Sequence, residues 1–104
     1  EPENAAILSG GAIGTHLQMG IGDGLIPDNL NQDIYDDLYL VTDEEAIQTA
    51  KDLARLEGLM CGISSGTNVA AALKLAKKLG PGKTVVTILP DTAERYFSTP
   101  LFQE

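Results

Sequence analysis

Positively charged residues are scarce in this chain. Seven lysines and arginines stand against fifteen aspartates and glutamates, which gives a formal net charge of −8 at pH 7. Nucleic acids and anionic membrane surfaces attract proteins through clustered Lys and Arg side chains. The composition therefore argues against a nucleic-acid or membrane partner and leaves small molecules as the expected ligands.

Cysteine and histidine occur once each, as Cys61 and His16. One cysteine cannot form an intramolecular disulfide, and this is typical of a protein from a reducing, cytoplasmic compartment. Acidic residues cluster between positions 33 and 45, but no Cys or His lies among them to complete a transition-metal site. We therefore expect no metal ion.

Tryptophan is absent, and no apolar run approaches the length of about 20 residues that crosses a bilayer. Hydrophobic residues still make up 43% of the 104 residues. This is enough for the core of one domain. The apolar share consists mainly of Ala, Leu, Ile and Val, which suits helices packed on a buried sheet.

Short apolar runs alternate with helical patterns from residue 38 onwards. The runs Leu38–Val41, Leu59–Ile63 and Thr84–Leu89 have the length and composition of buried strands. Strands that alternate with helices usually pair in parallel. The sequence thus predicts an α/β fold, in which a parallel sheet is flanked by helices.

Two helices are predicted between these strands. The first begins after Thr42, because Thr42 and Glu45 have the spacing of a capping box, and it ends at Gly58. The second covers Thr67 to Leu79, and Ser65 is the candidate for its capping side chain.

Glycine is concentrated in the first third of the chain. The stretch Ser9–Pro27 contains glycines together with several apolar residues, which predicts an ordered loop that lines a ligand site. Ala5–Leu8 is predicted as a short extended segment before it. Pro27–Asn31 is predicted to open a short helix, with Asp28 as its cap.

Six segments of the chain follow one another in a recognisable order. They are Glu1-Pro2, Leu8-Ser9-Gly10-Gly11, Gly20-Ile21-Gly22-Asp23-Gly24-Leu25-Ile26-Pro27, Thr42-Asp43-Glu44-Glu45-Ala46, Gly62-Ile63-Ser64-Ser65-Gly66 and Glu94-Arg95-Tyr96-Phe97-Ser98-Thr99. Through them the chain resembles the cysteine synthase (O-acetylserine sulfhydrylase) family. Because the resemblance is to the C-terminal third of these enzymes, residues 1–104 are expected to form the C-terminal portion of the large cofactor-binding domain of a fold type II (tryptophan synthase β-like) enzyme.

The resemblance implies a pyridoxal 5′-phosphate enzyme that replaces the acetoxy group of O-acetylserine by sulfide, giving cysteine and acetate, and that forms a homodimer. It assigns Ser64 to cofactor binding, since the first serine of this motif hydrogen-bonds the pyridine nitrogen in the family. A neutral hydroxyl there does not favour a protonated ring, which suits β-replacement better than transamination. Gly20, Ile21 and Gly22 match the family's loop over cofactor and substrate.

The chain departs from the family just before this loop. Thr15-His16-Leu17-Gln18-Met19 stands where the family usually has Pro-His-Lys-Ile-Gln. Substrate preference and any role of Gln18 are therefore left open. Because proton transfer in the family belongs to the lysine that holds the cofactor, His16 is interpreted as a structural residue.

Three elements of the family's active site have no match in these residues: the Schiff-base lysine, the Thr-Ser-Gly-Asn loop for the substrate carboxylate, and the Gly-Thr-Gly-Gly-Thr loop for the cofactor phosphate. The lysines that are present all lie outside the family's lysine context, and they are Lys51, Lys74, Lys77, Lys78 and Lys83. We therefore assign no catalytic residue and expect the isolated chain to be inactive.

Several alternatives remain open at this point. O-phosphoserine sulfhydrylase, cystathionine β-synthase and threonine dehydratase share the architecture, although the Gly-Ile-Ser-Ser-Gly and Glu-Arg-Tyr strings favour the sulfhydrylases. A different class is a non-catalytic interaction fragment, since a truncated parallel sheet leaves a strand edge uncovered and promotes association.

Overall fold

Two α-helices dominate the fold. The structure is a computed structural model and describes residues 1–96 and 101. Its helical segments are the 3₁₀-helix Glu3–Ala5, α1 (Asp43–Glu57), α2 (Ile63–Leu79) and the 3₁₀-helix Ala93–Tyr96. None of the helices in this described part is long and apolar enough to cross a membrane.

Helix α1 begins and ends where the sequence predicts. The Glu45 amide donates to the Thr42 hydroxyl at 3.1 Å, and the Thr42 amide donates to the Glu45 carboxylate at 3.3 Å. At the other end Gly58 has a left-handed φ of 70°, and the Leu59 amide donates to the Leu53 carbonyl at 3.0 Å. These bonds satisfy backbone groups that a helix leaves unpaired at its ends. The predicted capping box and glycine terminator are confirmed.

Helices α1 and α2 come into close contact at Gly66. A methyl group on Gly66 would overlap the Ala46 carbonyl oxygen and would lie 2.9 Å from the Ala50 backbone nitrogen. Only a residue without Cβ allows this approach. The surrounding core is made of Val41, Ala46, Ala50, Ile63, Ala70, Ala93 and Leu101. Small side chains at the contact therefore set the distance between the two helices.

Glu45 also joins the two helices electrostatically. Its Oε2 lies 2.8 Å from the Nζ of Lys74 on α2. The hydrogen bond from Lys74, aided by the one from the Thr42 amide, outweighs partial desolvation and holds the pKa of the Glu45 carboxyl below its ordinary value. A carboxyl with a lowered pKa stabilises the fold fully above its unfolded pKa of about 4.3, and this contribution is lost as the pH falls through the folded value.

A pH titration of stability tests this link. We expect the free energy of unfolding of the unchanged chain to fall more steeply below about pH 4.3 than that of Glu45→Gln, which keeps an amide oxygen for the capping box but has no charge to lose. The difference should stay below about 1 kcal/mol, because both partners are partly exposed. Urea unfolding followed by circular dichroism at several pH values measures it. Parallel pH profiles for the two chains would contradict this account.

The predicted parallel sheet is absent from residues 1–96. Of the three predicted strands, Leu38–Val41 makes a single parallel bridge, from Val41 to Pro2. Leu59–Ile63 makes a single antiparallel bridge, from Cys61 to Thr92, and Thr84–Leu89 forms neither a helix nor a bridge. A strand needs a neighbour of several residues to complete its ladder of hydrogen bonds. The described residues supply only isolated partners, so the three strand assignments are wrong here.

Helix α2 begins at Ile63 rather than at Thr67. Gly62 is its N-cap residue without a side-chain cap, and the Ser65 amide donates to the Gly62 carbonyl at 3.1 Å. This bond closes the first turn around the Ser-Ser-Gly sequence. Ser65 is not the capping residue, because its hydroxyl donates to the distant Pro90 carbonyl at 2.6 Å.

Two shorter predictions in the first third are also wrong. Ala5–Leu8 is not extended, because it contains the end of the first 3₁₀-helix and part of a turn. Pro27–Asn31 is a turn rather than the start of a helix capped by Asp28, and the Leu30 amide donates to the Pro27 carbonyl at 3.0 Å. In both segments the backbone N–H and C=O groups make hydrogen bonds within turns, so they do not continue into a helix or a strand.

Candidate functional site

A cleft of about 440 Å³ lies between the glycine-rich loop and α2. Gly20, Ile21 and Gly22 line it from the loop, and Thr67 and Asn68 line it from the helix. This volume falls within the range of about 300–1,000 Å³ that is common for small-molecule sites. The three loop residues singled out in the sequence thus share one cavity, while their contact with a cofactor or substrate stays a prediction.

The loop is closed by His16. The backbone amide of Gln18 donates to His16 Nδ1 at 3.0 Å, so Nδ1 carries no proton. His16 Nε2 therefore carries the proton and donates it to the Gly22 carbonyl at 2.9 Å. Both ring nitrogens are used within the loop, which agrees with the interpretation of His16 as a structural residue.

Gly22 and Gly20 differ in the space around them. Both have a positive φ, of 63° and 89°. A methyl group on Gly22 would lie 2.6 Å from Pro2 Cγ and 2.9 Å from His16 Nε2, whereas one on Gly20 would meet nothing within 4 Å. Gly22 is thus required by packing as well as by conformation, and Gly20 by conformation alone.

A matched pair of alanine substitutions separates these two requirements. Each substitution should lower the free energy of unfolding by about 1–2 kcal/mol, because alanine disfavours the left-handed conformation. Gly22→Ala must in addition displace Pro2 or His16, so we expect it to be less stable than Gly20→Ala by about 1 kcal/mol or more. Urea unfolding of both variants gives the comparison. Equal midpoints for the two would show that the contact with Pro2 and His16 costs nothing.

Ser64 lies in the first turn of α2 and is only 4% exposed. Among the described residues, the Tyr39 hydroxyl is the fully buried side-chain polar atom without a hydrogen bond, and the Ser64 hydroxyl is not such an atom. The assignment of Ser64 as a contact to a cofactor nitrogen stays a prediction.

Ser64 is nevertheless not part of the cleft wall. Thr67 and Asn68, which do line the cleft, follow it by three and four residues and so share its face of the helix. Ser64 therefore lies one helical turn beyond the wall, towards the N-terminus of α2. The described structure does not bring Ser64 and the loop residues around a single cavity.

Gln18 was left without a role in the sequence, and the structure makes it a central contact. Its side chain is fully buried. Nε2 donates to the Val41 carbonyl at 2.9 Å and to Asp43 Oδ1 at 3.1 Å, while Oε1 accepts from the Thr67 hydroxyl at 2.7 Å. The only hint in the sequence is a polar residue between the apolar Leu17 and Met19.

Charge in the cleft is negative. Glu1 and Asp23 are the charged residues among its described lining, which contains no lysine. Two of the chain's lysines are engaged elsewhere, Lys74 with Glu45 and Lys78 with Asp37 at 3.3 Å. The described lining thus offers no lysine side chain that could bind an aldehyde cofactor covalently.

Comparison with known proteins matches residues 1–91 to the family described as pyridoxal-phosphate dependent enzyme. The chain belongs to this family. Cysteine synthase B from Campylobacter jejuni is 54% identical over 102 residues, which are 98% of this chain and 33% of that protein. The resemblance to cysteine synthases in the sequence is thereby confirmed.

Solved structures of family members have the same fold. O-acetyl serine sulfhydrylase isoform 3 from Entamoeba histolytica superposes with a TM-score of 0.96 at 40% identity, covering 100% of this chain and 31% of that one. The O-acetylserine dependent cystathionine β-synthase from Helicobacter pylori gives 0.87 at 42% identity, covering 98% and 33%. The assignment to fold type II is confirmed, and the chain spans about a third of the length of these relatives.

The C-terminal string of the resemblance lies only partly within the described residues. The C-terminal string Glu94–Thr99 begins in the second 3₁₀-helix, but Phe97, Ser98 and Thr99 lie outside the described residues. Within the described part, the Glu94 carboxylate accepts a hydrogen bond from the Thr92 hydroxyl at 3.3 Å.

Proposed function

We propose that this chain supplies the ring-binding end of the active site in a pyridoxal-phosphate-dependent cysteine synthase. In the proposed reaction the bond from Cβ of O-acetylserine to its acetoxy oxygen breaks, acetate leaves with the electron pair, and sulfide forms the new C–S bond of cysteine. A homodimer and a cytoplasmic location are part of this proposal.

The observation that carries the proposal is the position of Ser64, which lies in the first turn of α2 and is only 4% exposed. In the proposed complex the Ser64 hydroxyl hydrogen-bonds the pyridine nitrogen and holds the ring at the end of the helix. The cofactor supplies an electron sink when it is bound. Because Ser64 is neutral, it would not favour a protonated ring nitrogen, which suits elimination and replacement at Cβ.

The loop Gly20–Gly22 is proposed to cover the cofactor and the substrate. Gly20 has open space where a side chain would be, so its backbone can approach a ligand closely. Ile21 supplies an apolar wall that keeps water from the cleft. The amine that binds the cofactor covalently has to come from outside the described lining, since no lysine is part of it.

A chimeric enzyme tests the proposal. The matching third of Campylobacter jejuni cysteine synthase B is replaced by residues 1–104, and cysteine formation from O-acetylserine and sulfide is measured with pyridoxal phosphate present. We expect the chimera to bind the cofactor and to form cysteine. The unmodified relative is the positive control. A folded chimera that binds cofactor but makes no cysteine would refute the proposed activity.

A second candidate differs in the attacking thiol. The similarity to the Helicobacter pylori cystathionine β-synthase favours an enzyme that forms cystathionine. The same chimera, supplied with homocysteine in place of sulfide, distinguishes the two by its product. Supplying O-phosphoserine in place of O-acetylserine decides the donor in the same assay.

A third candidate is a non-catalytic association module. Val86 and Ile88 are 85% and 73% exposed in the segment Thr84–Leu89, which forms no bridge within residues 1–96. Such a segment promotes pairing with another chain. Sedimentation of the isolated 104-residue chain tests this candidate, and a well-folded, strictly monomeric chain would count against it.

A further inference from the structure

We infer that Gln18 is a positioning residue that fixes the glycine-rich loop over the cleft. Its side chain is the point where three parts of the chain meet: the loop, the segment leading into α1, and α2. The inference concerns the shape of the cleft in this chain, and it rests on the proposed function only for the identity of the ligand.

Burial and bond count support this role. Gln18 is 0% exposed, and its side-chain amide makes three hydrogen bonds of 2.7–3.1 Å. An amide group in the interior that lost these partners would pay a desolvation cost of about 1–3 kcal/mol. The loop therefore has one strongly preferred position in which this side chain is satisfied.

The partners of Gln18 form the cleft itself. Val41, whose carbonyl accepts from Nε2, and Thr67, whose hydroxyl donates to Oε1, both line the cavity. On the loop side, Gly20 follows Gln18 by two residues and also lines the cavity. The side chain thus connects the loop to other residues that line the cleft.

The backbone of Gln18 links the side-chain contacts to the loop closure. Its backbone amide donates to His16 Nδ1, and His16 Nε2 in turn donates to the Gly22 carbonyl. A displacement of Gln18 therefore breaks the closure at Gly22 as well. His16 becomes a reporter of the loop position, and its signals are unambiguous because the chain has one histidine.

The test is the nitrogen NMR spectrum of the His16 ring in the 104-residue chain at mildly alkaline pH, where imidazole is neutral. In the unchanged chain we expect two well-separated resonances, one from an unprotonated Nδ1 and one from a protonated Nε2. In Gln18→Met, which keeps the volume and removes all three bonds, we expect loss of this separation as the two tautomers exchange. The helix signal in circular dichroism should persist.

Thr67 supplies the second pair of variants. Thr67→Val removes the donor to Gln18 Oε1 and should reduce the separation of the His16 resonances. Thr67→Ser keeps the hydroxyl and should keep the separation seen in the unchanged chain. If Gln18→Met does not fold, these two variants alone carry the test. Gly58→Ala, a strained substitution at the end of α1 with open space around it, controls for general destabilisation and should leave the His16 spectrum unchanged.

Two results would overturn the inference. One is a His16 spectrum in Gln18→Met or Thr67→Val that equals that of the unchanged chain. The other is an equal loss of separation in Gly58→Ala, since this would reflect general destabilisation rather than loop position. Neither result depends on pyridoxal phosphate or on cysteine formation, so it leaves the proposed function to its own assay.

Discussion

Gly66→Ala should lower the free energy of unfolding by about 1–3 kcal/mol or more. The added methyl group would overlap the Ala46 carbonyl oxygen and crowd the Ala50 backbone nitrogen. Backbone atoms cannot rotate away as a flexible side chain can, so α1 and α2 have to separate. This separation weakens the core that the two helices enclose.

The sign of this effect makes it diagnostic. Gly66 lies inside α2, where alanine has an intrinsic advantage over glycine of about 1 kcal/mol. Any loss of stability must therefore come from the contact with α1. Urea unfolding measures it, and Gly82→Ala, which has a φ of 78° and meets nothing within 4 Å, shows the cost of a strained glycine without a clash. A Gly66→Ala chain as stable as the unchanged one would disprove the close approach.

Ser64→Ala should weaken pyridoxal phosphate binding in the chimera by up to about tenfold. The reason is the loss of one hydrogen bond to the ring nitrogen, worth about 0.5–1.5 kcal/mol. Ser64→Asp should reduce cysteine formation further, because a carboxylate favours a protonated ring and adds a buried charge. Titration with the cofactor, followed by its absorbance, and the cysteine assay measure the two effects.

Ser65→Ala is the matched control for Ser64→Ala. The two serines are adjacent in the same helical turn, but the Ser65 hydroxyl is occupied by the Pro90 carbonyl at 2.6 Å. Its removal should reduce stability by about 1 kcal/mol and leave cofactor affinity unchanged. If Ser65→Ala and Ser64→Ala weaken cofactor binding equally, Ser64 has no specific contact with the ring.

The ends of α1 could be predicted because their signals are local. The Thr42–Glu45 capping box spans four consecutive residues, and the left-handed Gly58 needs no partner side chain. Such patterns determine a helix boundary whatever surrounds it. The start of α2 was harder to place, since Ser64, Ser65 and Gly66 are as compatible with a turn as with a first helical turn.

The strands were harder to predict than the ends of α1, because a strand depends on a pairing partner. Thr84–Leu89 is rich in β-branched residues, but β-propensity only describes a side chain that fits a pleated surface with neighbours. Within residues 1–96 this segment has side-chain contacts such as the bond from Asn68 to the Ile88 carbonyl at 2.9 Å, and no strand beside it. Composition therefore indicated an extended conformation without indicating what it pairs with.

The sequence by itself determined the family, through motifs whose order along the chain needs no folding to be recognised, and it determined the limits of α1 through contacts between near neighbours. The tertiary structure alone decided the partners of Gln18, Ser65 and Gly66. The bond from Thr67 to Gln18 joins residues 49 positions apart, and that from Ser65 to Pro90 joins residues 25 apart. Partners so distant are chosen by the packing of the whole chain, because burial leaves each polar group only the acceptors and donors that packing brings to it.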